Sequence, residues 1–118
     1  MNIVKITRLA DVARTPVTME GAKGAVKQLP IGQADGSPVF SVRVFTIEPG
    51  GHTPYHTHPF EHVNYIIEGR GAVVTGDGTE RALEKGDFVL VVPGEKHQYR
   101  NASEEPFVMI CAVPKEYE

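Results

Sequence analysis

Histidine is the residue type best placed to do chemistry in this chain. Four of the five histidines, His52, His56, His58 and His62, lie in one short segment. His56 and His58 are two residues apart, so in a strand both imidazoles point to the same face. Pro59 has no amide hydrogen and interrupts such a strand, after which the chain can re-enter a sheet and return His62 to that face.

The fifth histidine, His97, lies beyond two further turn signals, where another strand could bring it to the same place. A single histidine is more often a surface residue or a hydrogen-bonded core residue than a ligand. Four clustered imidazoles instead favour a metal ion, because neutral imidazole is the commonest protein ligand for metals. We therefore predict that His56, His58, His62 and His97 hold one divalent ion. Pro54 separates His52 from this set, so His52 is expected at the rim.

The elements that must position these histidines are short strands. Glycine (12 residues) and proline (9 residues) divide the chain into segments rich in β-branched and aromatic residues. Gly76-Asp77-Gly78 and the segment 84–87 are predicted hairpin turns. Strands are predicted over residues 39–47, 62–67, 72–75, 88–92, 96–100 and 107–113.

Regular strands with turns between them predict an all-β sandwich or barrel. The run 88–92 is apolar on both faces and needs cover from a second sheet or from a subunit partner. The run 2–9 has strand character without a hairpin partner, so residues 1–36 are a candidate for dimer contact, and a homodimer is expected. Residues 8–24 are ambiguous, with a possible helical turn that ends before Pro16.

Composition limits the classes of function. The 118 residues fit one domain, 1–118, with a barrel core over 39–113, and the net charge is -3 without a basic stripe. Nucleic acid and membrane are therefore not expected as partners. Cys111 is the single cysteine and sits in an apolar run, which predicts an inert core thiol and no intrachain disulfide. The N-terminal run lacks a signal-peptide pattern, and a cytoplasmic protein is expected.

Two segments resemble the paired motifs of the cupin family, and together with the segment between them they cover residues 50–101. The first motif is carried by Gly50, His56, His58, His62 and Gly69. The second is carried by Gly86, Pro93, Gly94, His97 and Asn101, with Pro93 one residue later than in the commonest pattern. The resemblance implies a double-stranded β-helix, or jelly-roll, barrel.

The first motif departs from the usual cupin pattern at one position. His62 stands where a glutamate is usual, and Glu61 would point to the opposite face of a strand. The resemblance is therefore to an all-histidine subgroup of cupins. A neutral ligand set favours Fe, Ni, Cu or Zn over the harder Mn, with Mn kept as an alternative.

Strand parity predicts which residues line a cavity beside the ligands. Parity with His62 indicates Asn64 and Ile66, and parity with His97 indicates Tyr99. Phe45, Ile47, Phe107 and Met109 are weaker candidates for the wall. Such a wall suits a small organic molecule, which Tyr99 and Asn64 would orient. An anionic or enolisable oxygen is the expected partner of the ion. His52 and Tyr99 are the candidate catalytic residues.

Three functions are compatible with the cupin resemblance. A metal-dependent oxygenase of the dioxygenase type is the first expectation for this chain. The alternatives are a non-catalytic module that binds or senses a small molecule, and a metal-assisted isomerase, lyase or hydrolase. Because one fold serves many chemistries, the fold alone does not choose among them.

Overall fold

The computed structural model describes residues 4–118, and strands form about half of it. Short 3₁₀ turns lie at Leu9–Asp11, Gln33–Asp35 and Lys115–Tyr117. The strands are β1 (Thr15–Pro16), β2 (Lys23–Ile31), β3 (Phe40–His52), β4 (His62–Glu68), β5 (Arg70–Val74), β6 (Glu80–Glu84), β7 (Phe88–Val91), β8 (Gln98–Arg100) and β9 (Phe107–Pro114).

These strands form one curled antiparallel sheet. Its order is β6-β5-β8-β3-β9-β4-β7, with β2 paired to β3 and β1 paired to β2. The long strand β3 pairs with β9 along its first part and with β8 at its end. This arrangement confirms the predicted all-β jelly-roll barrel.

All six predicted strands form, with shifted ends, but the two-residue strand β1 and the strands β2 and β6 were not predicted. The sequence of β2, Lys-Gly-Ala-Val-Lys-Gln-Leu-Pro-Ile, mixes lysine, glutamine, glycine and proline and does not alternate cleanly. Strand β6 is largely exposed and lies at one end of the sheet order, so its charged residues remain in water. Both strands form because tertiary pairing outweighs local preference.

The strand predicted over residues 2–9 does not form in its described part. Residues 1–3 lie outside the described range, and Val4–Arg8 belongs to no strand. The first 3₁₀ turn follows, and the buried side-chain amide of Gln28 donates to the main-chain oxygens of Leu9 and Val12, at 2.9 and 3.0 Å. These side-chain bonds hold the segment across β2 without a strand ladder. The predicted homodimer stays a prediction.

The apolar run 88–92 is covered on one face only by the described residues. Val91 is buried, whereas Phe88 and Leu90 are 73% and 63% exposed. Strand β7 is an edge strand next to β4, which explains the open outer face. Cover by a subunit partner remains an expectation. Among the described residues, no helix combines the length and the apolar composition needed to cross a membrane.

A glycine corner bends β3 so that it can change partners. Gly50 has φ +80°, a conformation that other residues rarely adopt. A Cβ atom on Gly51 would lie 2.7 Å from the main-chain oxygen of Lys23, so only glycine allows this close approach. Gly50 donates to the Asn101 oxygen at 2.8 Å, and the Asn101 amide donates to the Gly51 oxygen at 3.0 Å. The bulge at this corner directs the following residues toward β8.

The side chain of Asn101 fastens the corner from inside. It is 2% exposed, and its Nδ2 donates to the main-chain oxygens of Ile47 and Glu105, at 2.8 and 2.7 Å. Its Oδ1 accepts from the Ser103 amide at 2.9 Å and from the Ser103 hydroxyl at 2.7 Å. The role of Asn101 in the second motif is therefore to hold the glycine corner in place.

The apolar core fills the part of the barrel below the histidines. Its buried members come from six strands. They are Ala25, Ile47, Ile66, Val73, Tyr99, Phe107 and Met109.

We expect Asn101→Ala to lower the free energy of unfolding by about 2 to 3 kcal/mol, because the buried main-chain oxygen of Ile47 and the main-chain oxygen of Glu105 lose their donor. Urea denaturation followed by circular dichroism measures this change. Glu104→Ala, at an exposed position nearby, is the control and should change stability by less than about 0.5 kcal/mol. Equal stability of the two variants would contradict the role of Asn101.

Candidate metal centre

Main-chain pairing beyond the glycine corner brings His97 against His56. The Thr53 amide donates to the Tyr99 oxygen at 2.9 Å, and the Tyr99 amide donates to the Thr53 hydroxyl at 2.8 Å. His56 and His97 then form an antiparallel bridge with two N–H···O bonds of 3.1 Å each. Two histidines that are distant in sequence thus occupy opposed positions on neighbouring segments.

His58 is positioned by its loop. The Gly94 amide donates to the His58 main-chain oxygen at 2.9 Å, which ties this loop to the turn before His97. The His58 ring stacks on Phe60 with 3.9 Å between ring centroids, and Phe60 stacks on Tyr117 at 4.0 Å. Stacking therefore limits the rotation of the His58 imidazole.

The four predicted ligands come together at one end of the barrel. His56, His58 and His97 each offer a ring nitrogen, and these three atoms lie within 4.8 Å of one another. His62, at the start of β4, brings its Nε2 to 3.2 Å from the Nε2 of His97. Its ring centroid is 5.0 Å from that of His58 and 5.0 Å from that of His97. The three-histidine cluster is compatible with a divalent metal ion, and His62 adjoins it.

Hydrogen bonds made by Nδ1 fix the tautomers of His58, His62 and His97. The Nδ1 of His58 lies 2.9 Å from the Phe60 oxygen, and that of His97 lies 2.9 Å from the Glu95 oxygen. The Nδ1 of His62 lies 2.5 Å from Oδ1 of Asn64. Because these oxygens only accept, each Nδ1 carries the hydrogen and each Nε2 keeps its lone pair.

This arrangement of lone pairs tests whether a metal ion fits. With the tautomers fixed as above, neither His62 nor His97 has a hydrogen on Nε2, yet these atoms are 3.2 Å apart. Two facing lone pairs repel each other unless a cation lies close to both. Histidine ligands of metal sites characteristically bond an oxygen through the other ring nitrogen. The residues present therefore fit a metal ion.

Burial favours the neutral form of His56, His62 and His97. Desolvation is the main cause that lowers the pKa of His62 to about 3. The hydrogen bond to Asn64 acts in the opposite direction, whereas the neighbouring His97, His58 and Arg43 lower the pKa further. Burial also lowers the pKa values of His56 and His97 below their ordinary value. Neutral imidazole is the form that binds metal ions, so these side chains are ready to ligate at neutral pH.

The histidines open into a half-open cavity of about 430 Å³. Its wall is largely apolar, as is usual for sites that bind small organic molecules. The lining residues are Thr15, Pro16, Val17, Thr18, Met19, Lys27, Arg43, Phe45, Thr53, Pro54, His56, His58, His62, Asn64, His97, Tyr99, Met109 and Cys111.

Four predicted wall residues line this cavity, and three lie elsewhere. Asn64, Tyr99, Phe45 and Met109 are in the lining. The others are buried in the core and are not part of the lining: they are Ile47, Ile66 and Phe107. Strand parity predicts the face of a residue correctly, but it does not predict its depth along the barrel axis.

His52 lies outside the lining, although its number has the same parity as His56. Its Nδ1 is 3.2 Å from the Thr53 main-chain oxygen and 3.4 Å from the side-chain amide of Gln98. The glycine corner before it and Pro54 after it interrupt the alternation of side chains. The catalytic roles predicted for His52 and Tyr99 stay predictions.

Sequence reasoning missed the two cationic side chains of the cavity, Lys27 and Arg43. Arg43 has the same parity as Phe45 in β3, so extending that alternation by one step would have found it. Lys27 could not be found in this way, because β2 itself was not predicted. The buried Cys111 agrees with the predicted core thiol, and burial raises its pKa.

Comparisons with known proteins agree with this geometry. The family described as Cupin domain matches residues 43–113. The (R)-mandelonitrile lyase of Granulicella tundricola is 30% identical over 94 residues, which are 80% of this chain and 72% of that protein. The polyketide cyclase RemF from Streptomyces resistomycificus has a similar structure, with a TM-score of 0.91 and 27% identity over 95% of this chain and 80% of that one.

A further relative matches a smaller part. Gentisate 1,2 dioxygenase 1 of Aquipseudomonas alcaligenes is 32% identical over 62 residues. These residues are 52% of this chain but only 18% of the dioxygenase, so the likeness is confined to one segment of a much longer protein.

We expect alanine at His56, His58, His62 or His97 to weaken zinc binding by about 100-fold or more, since each change removes one nitrogen ligand. His52→Ala is the matched control and should leave affinity unchanged, because His52 lies outside the cavity lining. Competition titration against a chromophoric chelator measures the affinities. Equal losses in all five variants would mean that the ligand assignment is wrong.

The lowered pKa values also set the pH range of metal binding. Because His56, His62 and His97 accept a proton only below the ordinary pKa of 6.5, protons compete weakly with the metal at neutral pH. Zinc affinity should therefore stay constant from about pH 8 to 6.5 and decrease at lower pH. Zinc affinity thus decreases at a lower pH than the pH 6 to 7 expected for a site made of unperturbed histidines. A tenfold loss between about pH 8 and 7 would contradict the assignment.

Proposed function

The chain belongs to the cupin domain family, and on that premise we propose that it is a metal-dependent enzyme of the lyase or cyclase type. Its substrate would be a small organic molecule with a carbonyl or enolisable oxygen. The reaction would rearrange or cleave bonds beside that oxygen without consuming O₂.

The observation that carries this proposal is the convergence of imidazoles in the wall of a largely apolar cavity. The lining contains no aspartate or glutamate among the described residues. A divalent ion held by nitrogen ligands alone keeps its full charge in surroundings of low dielectric constant. Such an ion supplies Lewis acidity toward a substrate oxygen.

Tyr99 is suited to donate a hydrogen bond to the same oxygen. Its side chain is buried, and its hydroxyl has no hydrogen-bond partner among the described residues. Burial raises its pKa, so the phenol keeps its hydrogen and acts as a donor rather than a base. We assign to Tyr99 the role of stabilising negative charge as it develops on the substrate oxygen.

Asn64 acts on a ligand rather than on the substrate in this proposal. Its Oδ1 accepts from His62 and its Nδ2 donates to the Met109 sulfur at 3.3 Å, so both ends of the amide are engaged. Asn64 is therefore a positioning residue that orients His62. The apolar side chains of Val17, Phe45 and Met109 in the lining would exclude water from the reacting oxygen.

The extent of similarity favours the non-oxidative reaction over the expected oxygenase. The matched lyase is covered over 72% of its length and the cyclase over 80%. The names lyase and cyclase describe reactions that break or make bonds, and neither name specifies O₂ as a reactant. The dioxygenase match supports an oxygenase as the second candidate function, on 18% of that protein's length.

The proposal is tested with metal-free protein that is reloaded separately with zinc, manganese, iron, nickel and copper. Mandelonitrile is the first substrate, because a relative's name specifies it, and benzaldehyde release is followed by absorbance. An oxygen electrode runs in parallel. We expect metal-dependent turnover without O₂ uptake, lost in His97→Ala, lowered about 100-fold in kcat by Tyr99→Phe and kept in His52→Ala.

Three results would contradict this function. Oxygen uptake in proportion to substrate loss, with gentisate or a similar diphenol, would identify an oxygenase. Binding without turnover across cyanohydrins, β-diketones and diphenols would identify a sensing or binding module. Full activity after removal of the metal would exclude the metal from the reaction.

A further inference from the structure

Two buried donors in the described structure have no hydrogen-bond partner, and the two residues that carry them line the same cavity. They are the Nε of Arg43 and the hydroxyl of Tyr99. Native proteins satisfy most buried polar atoms, so an unpartnered donor in a cavity wall indicates an acceptor that arrives with a ligand. Tyr99, which is 4% exposed, already has a place in the proposed function. Arg43 does not.

The guanidinium of Arg43 is held in a defined position. Its Nη2 donates to the sulfur of Cys111 at 3.0 Å, and its central carbon lies 4.9 Å from the centre of the Phe45 ring. This cation–π contact and the bond to Cys111 together restrict the movement of the guanidinium. The thiol of Cys111 is uncharged, because burial raises its pKa, so it does not neutralise the arginine.

A second cation lines the cavity close to the first. Lys27 of β2 stands opposite Phe45, and the charge of Arg43 contributes to lowering the pKa of Lys27 after the larger effect of burial. The Lys27 ammonium donates to the main-chain oxygen of Glu118 at 2.8 Å. The Glu118 carboxylate raises the Lys27 pKa, but it bonds Ser41 and the Gln33 amide and is absent from the lining.

The cavity wall therefore carries positive charge without a lining carboxylate. The two ion pairs among the described residues, Lys5 with Asp35 and Arg14 with Glu48, involve neither cation of the cavity. An anion that enters would meet a fixed planar donor and a nearby ammonium. A planar carboxylate matches the geometry of a guanidinium better than a spherical anion does.

The position of Arg43 relative to the histidines limits the size of the ligand. Arg43, Cys111 and Asn64 stand side by side in one row across β3, β9 and β4. The backbone of Arg43 is thus two strand spacings, roughly 10 Å, from the strand that carries His62. Since these side chains reach into the same cavity, a molecule about the size of an aromatic acid spans the remaining gap.

We propose that Arg43, assisted by Lys27, binds a carboxylate of the substrate, so that the substrate is a small organic acid with a second oxygen directed at Tyr99 and the histidines. This inference deepens the proposed function, on which the role of the second oxygen rests. Binding of the carboxylate itself requires neither turnover nor metal.

Benzoate and benzamide are the probes, because they have nearly the same shape and differ in charge. Their dissociation constants are measured by calorimetry on the zinc-loaded and the metal-free protein. We expect both forms to bind benzoate at least about tenfold more tightly than benzamide. Arg43→Gln should remove this preference, and Lys27→Gln should reduce it. Arg70→Gln, at an exposed position of β5, is the control and should keep it.

A folding defect would also abolish binding in Arg43→Gln, and circular dichroism tests for this. Arg43→Lys is therefore the second variant. It keeps the charge but lacks Nε, so benzoate binding should fall between those of the wild type and Arg43→Gln. Equal affinities for benzoate and benzamide in the wild type would overturn the proposal. So would a benzoate preference that survives Arg43→Gln, or one seen only with zinc, since the metal alone would then bind the carboxylate.

The experiments distinguish failure of the carboxylate subsite from failure of the proposed enzymatic function. If the preference for benzoate depends on Arg43 but no substrate is turned over, the carboxylate subsite stands and the enzymatic function is wrong. If metal-dependent turnover occurs with neutral substrates only and Arg43→Gln leaves KM unchanged, the function stands and the subsite is wrong.

Discussion

His56 and His97 exchange two main-chain hydrogen bonds, and the position of the histidine cluster depends on that pairing. The pairing exists because β3 changes partner at Gly50 and Gly51, where the backbone approaches too closely for a side chain. Asn101 holds the corner closed through four hydrogen bonds of its buried side chain. Residues of the corner, which lie outside the cluster, thus determine where the histidines meet.

The spacing of the histidines and their motif context were enough to predict which of them come together, whereas the wall of the cavity depended on contacts between strands. The separation of His56 and His58 by one residue has a direct geometric meaning, and the motif context placed His97 with them. The depth of Ile66 below the site follows from its row in the sheet, which the sequence does not state. Lys27 was missed because β2 lacks an alternating pattern and forms only by pairing with β3.

Each histidine that has its Nδ1 bonded to an oxygen is limited to one tautomer and one ring orientation. For His58 and His97 the acceptors are main-chain oxygens two residues away, so the loops that carry the ligands also orient them. His62 instead depends on Asn64, a side chain of the same strand. Orientation is therefore set before any metal binds, which lowers the entropy lost on binding.

The distribution of charge in the barrel connects the two proposals. Burial favours the neutral form of His56, His62 and His97, the described lining has no carboxylate, and Arg43 and Lys27 add two positive charges. A bound divalent ion would raise the positive charge further, and repulsion among these groups would oppose folding unless an anion enters. An anionic substrate lowers that repulsion, whereas a neutral one does not. A preference for organic acids would thus follow from the positive charge of the whole cavity wall as well as from the single contact at Arg43.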